Sequence, residues 1–132
     1  SGLTCGEDSL PFYDSTMARF RLLNERAAGG IRKALEATGC GRFLDEQEIS
    51  ELGVDFEDGR FGDLIFLVEA GKIILPSFMG TRPVAAMHGY HPGSSEMYSA
   101  LYTDAPGGFA GRSITGVAPF IKSLLSGGAE RP

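Results

Sequence analysis

The sequence predicts a small α/β (α+β) fold: one small mixed sheet with helices packed against it. Three observations predict it. Short runs of alternating or continuous apolar residues, at 16–23 and 61–69, have strand length. Between and after them lie segments with apolar residues at helical spacing, at 24–38 and 115–125. Glycine is 19 of 132 residues, about twice its usual share, and is dispersed as single residues and pairs, so the elements are short and closed by turns. The resulting order is β-α-β-α-β-β-loop-β-α.

Residues 1–13 read as an irregular segment punctuated by Pro11, with Ser1–Gly2 resembling a cloning scar. Residues 14–132 read as a single domain. Thr16–Leu23 alternates Met17, Phe20 and Leu22 with Arg19 and Arg21, a half-buried strand in which Arg19 is expected at the surface or core edge. Asn24 is a good N-cap, with Glu25 in the first turn. Ala27, Ile31, Ala34 and Leu35 then carry a helix to Thr38, with Gly39 closing it. Gly29–Gly30 inside that helix costs about 1 kcal/mol per glycine relative to alanine.

Arg42–Leu44 is a short strand. Asp45 followed by Glu48 has the shape of a capping box and opens a helix over Glu46–Leu52, stopped by Gly53. Phe61–Glu69 and Lys72–Ser77 read as two strands joined by Ala70–Gly71, with Pro76 ending the second. Gly80–Pro92 is a loop, and Met97–Thr103 alternates weakly as a further strand. Thr115 caps a last helix whose apolar face is Val117, Ile121, Leu124 and Leu125. Pro119 fits there only near the third helical position, and Gly127–Pro132 is expected to fray.

Composition excludes several classes. A net charge of −5, with lysine and arginine scattered, disfavours a nucleic-acid backbone binder. No apolar run reaches the roughly 18 residues of a membrane span. The first ten residues have neither the basic start nor the apolar block of a signal peptide. The expected location is therefore the cytoplasm, with Cys5 and Cys40 as reduced thiols rather than a disulfide framework.

The only histidines, His88 and His91, lie together in Met87-His88-Gly89-Tyr90-His91-Pro92. Two histidines three apart can face one metal ion but fall short of the three or four donors of a zinc site. Other clusters read more plainly. Asp55, Glu57, Asp58 and Asp63 look like solvated loop carboxylates. Ser94 and Ser95 lie near His91 but lack a third, orienting group. Gly107–Arg112 lacks the lysine and serine or threonine that end a phosphate-binding loop.

From Asp14 onward the chain resembles the C-terminal part of the type I phosphodiesterase/nucleotide pyrophosphatase family, within the alkaline phosphatase superfamily. The residues carrying the resemblance are Asp14–Phe20, Phe43–Glu48, Arg60–Leu67, Pro76–Gly80, Ile114–Pro119 and, most strongly, Met87–Pro92. It covers about nine-tenths of the chain, and the order and spacing of the pieces carry it more than any single piece. It implies the C-terminal portion of an alkaline-phosphatase-like fold and a metal-dependent hydrolase of phosphodiesters or phosphoanhydrides.

In that family the histidine matching His88 is one ligand of a two-zinc site. His91 matches no general ligand, so His91 and Tyr90 are expected to face substrate or support the ligand. The family's nucleophile and its other ligands have no counterpart here. The resemblance therefore implies a fragment or C-terminal domain, inactive alone and holding at most a partial zinc site. The parent would act on a small phosphate ester or nucleotide. The initiating methionine is absent, in keeping with a piece of a longer chain. A non-catalytic ligand-binding or protein-interaction module that kept the fold is the alternative. A sheet lacking its neighbouring strands would leave apolar surface exposed, and a homodimer of the isolated chain is expected on that ground.

Overall fold

A computed structural model describes residues 2–105 and 107–127. The contacts divide the chain into two compact units, Ser1–Tyr98 and Ser99–Pro132, whereas the sequence suggests one domain over 14–132.

The first unit is a four-stranded, fully antiparallel open sheet with two helices. Its elements are β1 (Ser9–Tyr13), β2 (Met17–Leu22), α1 (Ala27–Glu36), β3 (Gly41–Phe43), α2 (Glu46–Glu51) and β4 (Leu64–Val68). The strand order is β1-β2-β4-β3. β1 and β2 form a hairpin with Pro11 opposite Phe20 and Phe12 opposite Arg19. β2 lies against β4 with Arg19 opposite Ile65, and β3 closes the far edge with Phe43 opposite Phe66.

β4 organises the core because all five of its residues are buried. Leu64, Phe66 and Val68 face one side, where Ala18 and Phe20 of β2 meet Ala27 and Ile31 of α1. Ile65 and Leu67 face the other, packing with Leu44 and with half-buried Ile49, Leu52, Val54 and Phe61. The period of two along a strand thus feeds two separate apolar clusters. α1 presents Ala27, Ile31 and Leu35, four residues apart each time, while Gly29 and Gly30 fall on its exposed side.

Several expectations are corrected. Residues 9–13, expected to be irregular, form β1. Proline is compatible with an edge strand because its missing N–H faces away from the ladder. α1 begins at Ala27 rather than after Asn24. The Asn24 side chain instead accepts from the backbone N–H of Arg26 at 3.1 Å in a preceding turn. Lys72–Ser77 is not a strand and makes no hairpin with β4. Its backbone makes separate contacts instead, Ile74 N–H donating to the Ser15 carbonyl at 2.7 Å. Met97–Thr103 is also not a strand; the region holds a single 3-10 turn over Ser95–Met97. The sheet is accordingly antiparallel rather than mixed.

α2 carries the expected capping box: Asp45 accepts from the Glu48 N–H at 2.8 Å, and the Glu48 carboxylate accepts from the Asp45 N–H at 3.2 Å.

The second unit holds a 3-10 turn over Ile114–Gly116 and α3 (Val117–Gly127). Ser113, not Thr115, caps the turn, accepting from the Thr115 N–H at 3.3 Å. Pro119 is the third residue of α3, where no intrahelical donor is lost. The expected fraying of the terminus falls largely on 128–132, outside the described residues. Among the described residues no helix is long and apolar enough to cross a membrane.

Candidate functional site: the histidine loop

The His88–His91 loop is fastened to the first unit by its backbone and by Tyr90, not by its histidines. The Thr16 hydroxyl, buried just before β2, donates to the Gly89 carbonyl at 2.8 Å. The Tyr90 ring enters the core beside α1 and β4, and its hydroxyl donates to the Lys72 carbonyl at 3.0 Å. Gly89 has a φ of +95°, and a Cβ there would lie 2.8 Å from the Thr16 hydroxyl oxygen. Glycine is therefore required twice over, by backbone conformation and by the closeness of Thr16.

Fixing Gly89 and Tyr90 leaves the two histidines in different settings. His88 is exposed, and its side chain makes no hydrogen bond or ion pair among the described residues. His91 is half-buried. Its Nδ1 accepts from the Gly93 N–H at 3.1 Å, and its Nε2 lies 3.7 Å from a Glu48 carboxylate oxygen. It borders a cleft of about 280 Å³ lined by Gly41, Arg42, Leu67, Tyr90 and Ser94. Tyr90 is a structural anchor: the residue is 9% exposed and its hydroxyl is already engaged.

The strongest electrostatic feature near the loop is the pair between Arg42 of β3 and Glu48 of α2. Both guanidinium ends engage the carboxylate, at 2.6 and 2.5 Å. The Arg42 hydrogen bonds, then the Asp45 backbone N–H, hold the Glu48 carboxyl down at about 2, with the nearby His91 adding a smaller pull in the same direction. This carboxylate serves the Arg42 pair and the helix cap at once. Ser94 is not poised as a nucleophile on His91, because its hydroxyl donates to Glu96. Asp63, expected to be a solvated carboxylate, instead supports the fold. Its side chain accepts from the Leu22 N–H at 2.7 Å and pairs with Arg21 at 3.2 Å.

Sequence reading missed Thr16 and Lys72 as supports of the loop. Thr16 lies 73 residues from Gly89, a separation over which local pattern carries no signal.

A zinc site takes three or four donors. Among the described residues no group of three or more His, Cys, Asp or Glu could hold a metal ion. His88 offers one donor, so the described residues do not by themselves complete such a site. Comparison with protein-family models, curated proteins and solved structures finds no match for this chain.

Proposed function

We propose that this chain is the C-terminal part of a metal-dependent phosphodiesterase or nucleotide pyrophosphatase, and that His88 is the ligand it contributes to a two-zinc site. The supporting observation is the construction of the loop. Two long-range hydrogen bonds and a buried ring hold Gly89 and Tyr90, while His88 stands exposed on the same rigid segment with no partner of its own among the described residues. A metal-binding histidine needs a fixed backbone and one ring nitrogen free to face the metal; the partner that orients the other ring N–H of His88 would come, like the remaining ligands, from elsewhere in the protein. The order of the family-like segments around it supports the same reading. The remaining ligands and the nucleophile would come from elsewhere in the protein, so this chain alone would be inactive.

The test is zinc content and zinc titration of the purified chain, wild type beside His88→Ala, repeated on the longest product of its gene. The chain alone is expected to take up well under one zinc ion. The longer product is expected to hold two and to hydrolyse a phosphodiester or a nucleotide pyrophosphate. His88→Ala in that product should cut activity about 100-fold or more and lower zinc content, given that even outer-shell changes cost 10- to 100-fold. Stoichiometric zinc in the chain alone, lost in His88→Ala, would show a complete site here and overturn the single-ligand reading. A longer product that hydrolyses neither substrate would overturn the hydrolase.

A further inference from the structure

We infer a second site, separate from the histidine loop: a cleft around Arg19 that binds a phosphate group, free or carried as a monoester. Phe12 and Arg19 are cross-strand partners on one face of the β1–β2 hairpin, and Leu10 and Arg21 are the next pair along. With Arg60, Phe61 and Gly62 from the approach to β4, they line a cavity of about 160 Å³. Three guanidiniums therefore border one small hollow on a chain whose net charge is −5.

The three differ in what already satisfies them. Arg21 pairs with Asp63 at 3.2 Å and donates to the Gly59 carbonyl at 3.2 Å. Arg60 pairs with Asp58 at 3.1 Å. Arg19 has no ion pair or side-chain hydrogen bond among the described residues, and its Nε is buried without a partner. A buried donor left unmatched is unfavourable, so this guanidinium keeps hydrogen-bonding capacity that the fold does not use. Its guanidinium lies over the rings of Phe12 and Phe61, 4.5 and 4.6 Å from their centroids. The rings hold the planar fork in place without consuming its hydrogen bonds. The ordering cost of binding is thus largely met in the free protein.

Charge and shape select the ligand. Two carboxylates offset three guanidiniums, leaving a net positive site. A planar carboxylate can satisfy one fork. A tetrahedral dianion can also accept from Arg21 and Arg60, whose side chains remain 49% and 67% exposed. The hollow is too small for a whole nucleotide and takes the phosphate alone.

The experiment is titration of the intact chain with inorganic phosphate and, in parallel, phenyl phosphate, following the arginine Nε–H signals by NMR. Saturable shifts of the Arg19 signal are expected in the millimolar range or below, weakening as sodium chloride is raised. Arg60→Gln and Arg19→Lys should each weaken binding about tenfold, the size expected from losing one charge-assisted bond or the fork geometry. Arg60 is exposed, so its variant keeps the fold. His88→Ala should leave phosphate binding unchanged. Tighter binding of phenyl phosphate than of inorganic phosphate would identify a monoester as the ligand; equal binding would identify the free ion. An unmoved Arg19 signal, binding unaffected by both arginine substitutions, or loss of binding in His88→Ala would each overturn the inference.

Discussion

Tyr90 and His88 stand two residues apart in opposite environments, and the difference predicts how each responds to substitution. Tyr90→Phe keeps the ring in the core and removes only the hydroxyl that donates to the Lys72 carbonyl. It should lower unfolding free energy by about 0.5–1.5 kcal/mol in urea titration. His88→Ala removes an exposed side chain without partners among the described residues and should stay within about 0.5 kcal/mol of wild type in the same titration. A much larger loss in His88→Ala would mean that the imidazole supports the fold, which a presented ligand should not do. The position of the histidine loop was legible in the sequence from its glycine and its proline. The supports were not, since the Thr16 hydroxyl and the Lys72 carbonyl reach the loop only through tertiary structure. Arg19 also escaped: alternation places it on a strand face but does not reveal the two rings beside its guanidinium.

At the scale of elements, α2 and β4 were the best read and the segment after β4 the worst. α2 has local causes, since both halves of its cap lie within four residues. β4 is an unbroken apolar run, which leaves little choice of face. Lys72–Ser77 has β-rich composition as well, but its backbone bonds once to Ser15 and twice to Gly80 rather than to a neighbouring strand, so tertiary competition overrides propensity. β1 was missed because proline suggested a break, whereas an edge strand accommodates it.

The link between β3 and α2 gives a prediction in pH. The Glu48 carboxyl titrates at about 2 in the folded chain, below its ordinary 4.5, because Arg42 and the Asp45 N–H stabilise its charged form. Its contribution is therefore fully present above about pH 4.5 and is lost as pH falls toward 2. Urea midpoints measured across that range should fall more steeply in wild type than in Glu48→Gln. Parallel curves would show that the pair contributes nothing to stability.

For the molecule as a whole, β4 joins the two apolar clusters of the first unit, and Phe66 is among its most buried residues at 2% exposure. Phe66 also meets the ring of Phe43 at 5.1 Å in an edge-on arrangement, tying the short β3 to the core. Phe66→Ala should cost about 3–5 kcal/mol, a large share of a small domain's stability. Thermal unfolding should show a strongly lowered or absent transition. A shift of only a few degrees would mean that the two clusters hold independently of β4.

The burial of β4 on both faces has a cost outside the folded state. Leu64-Ile65-Phe66-Leu67-Val68 carries no charge, proline or glycine, the composition of a segment prone to stack into cross-β aggregates once released. Asp63 and Glu69 flank it directly and put a negative charge at each end. Besides its bond to Leu22, Asp63 is therefore expected to act with Glu69 as a gatekeeper while the chain is unfolded, so that replacing both acids by alanine should lower the soluble yield on synthesis.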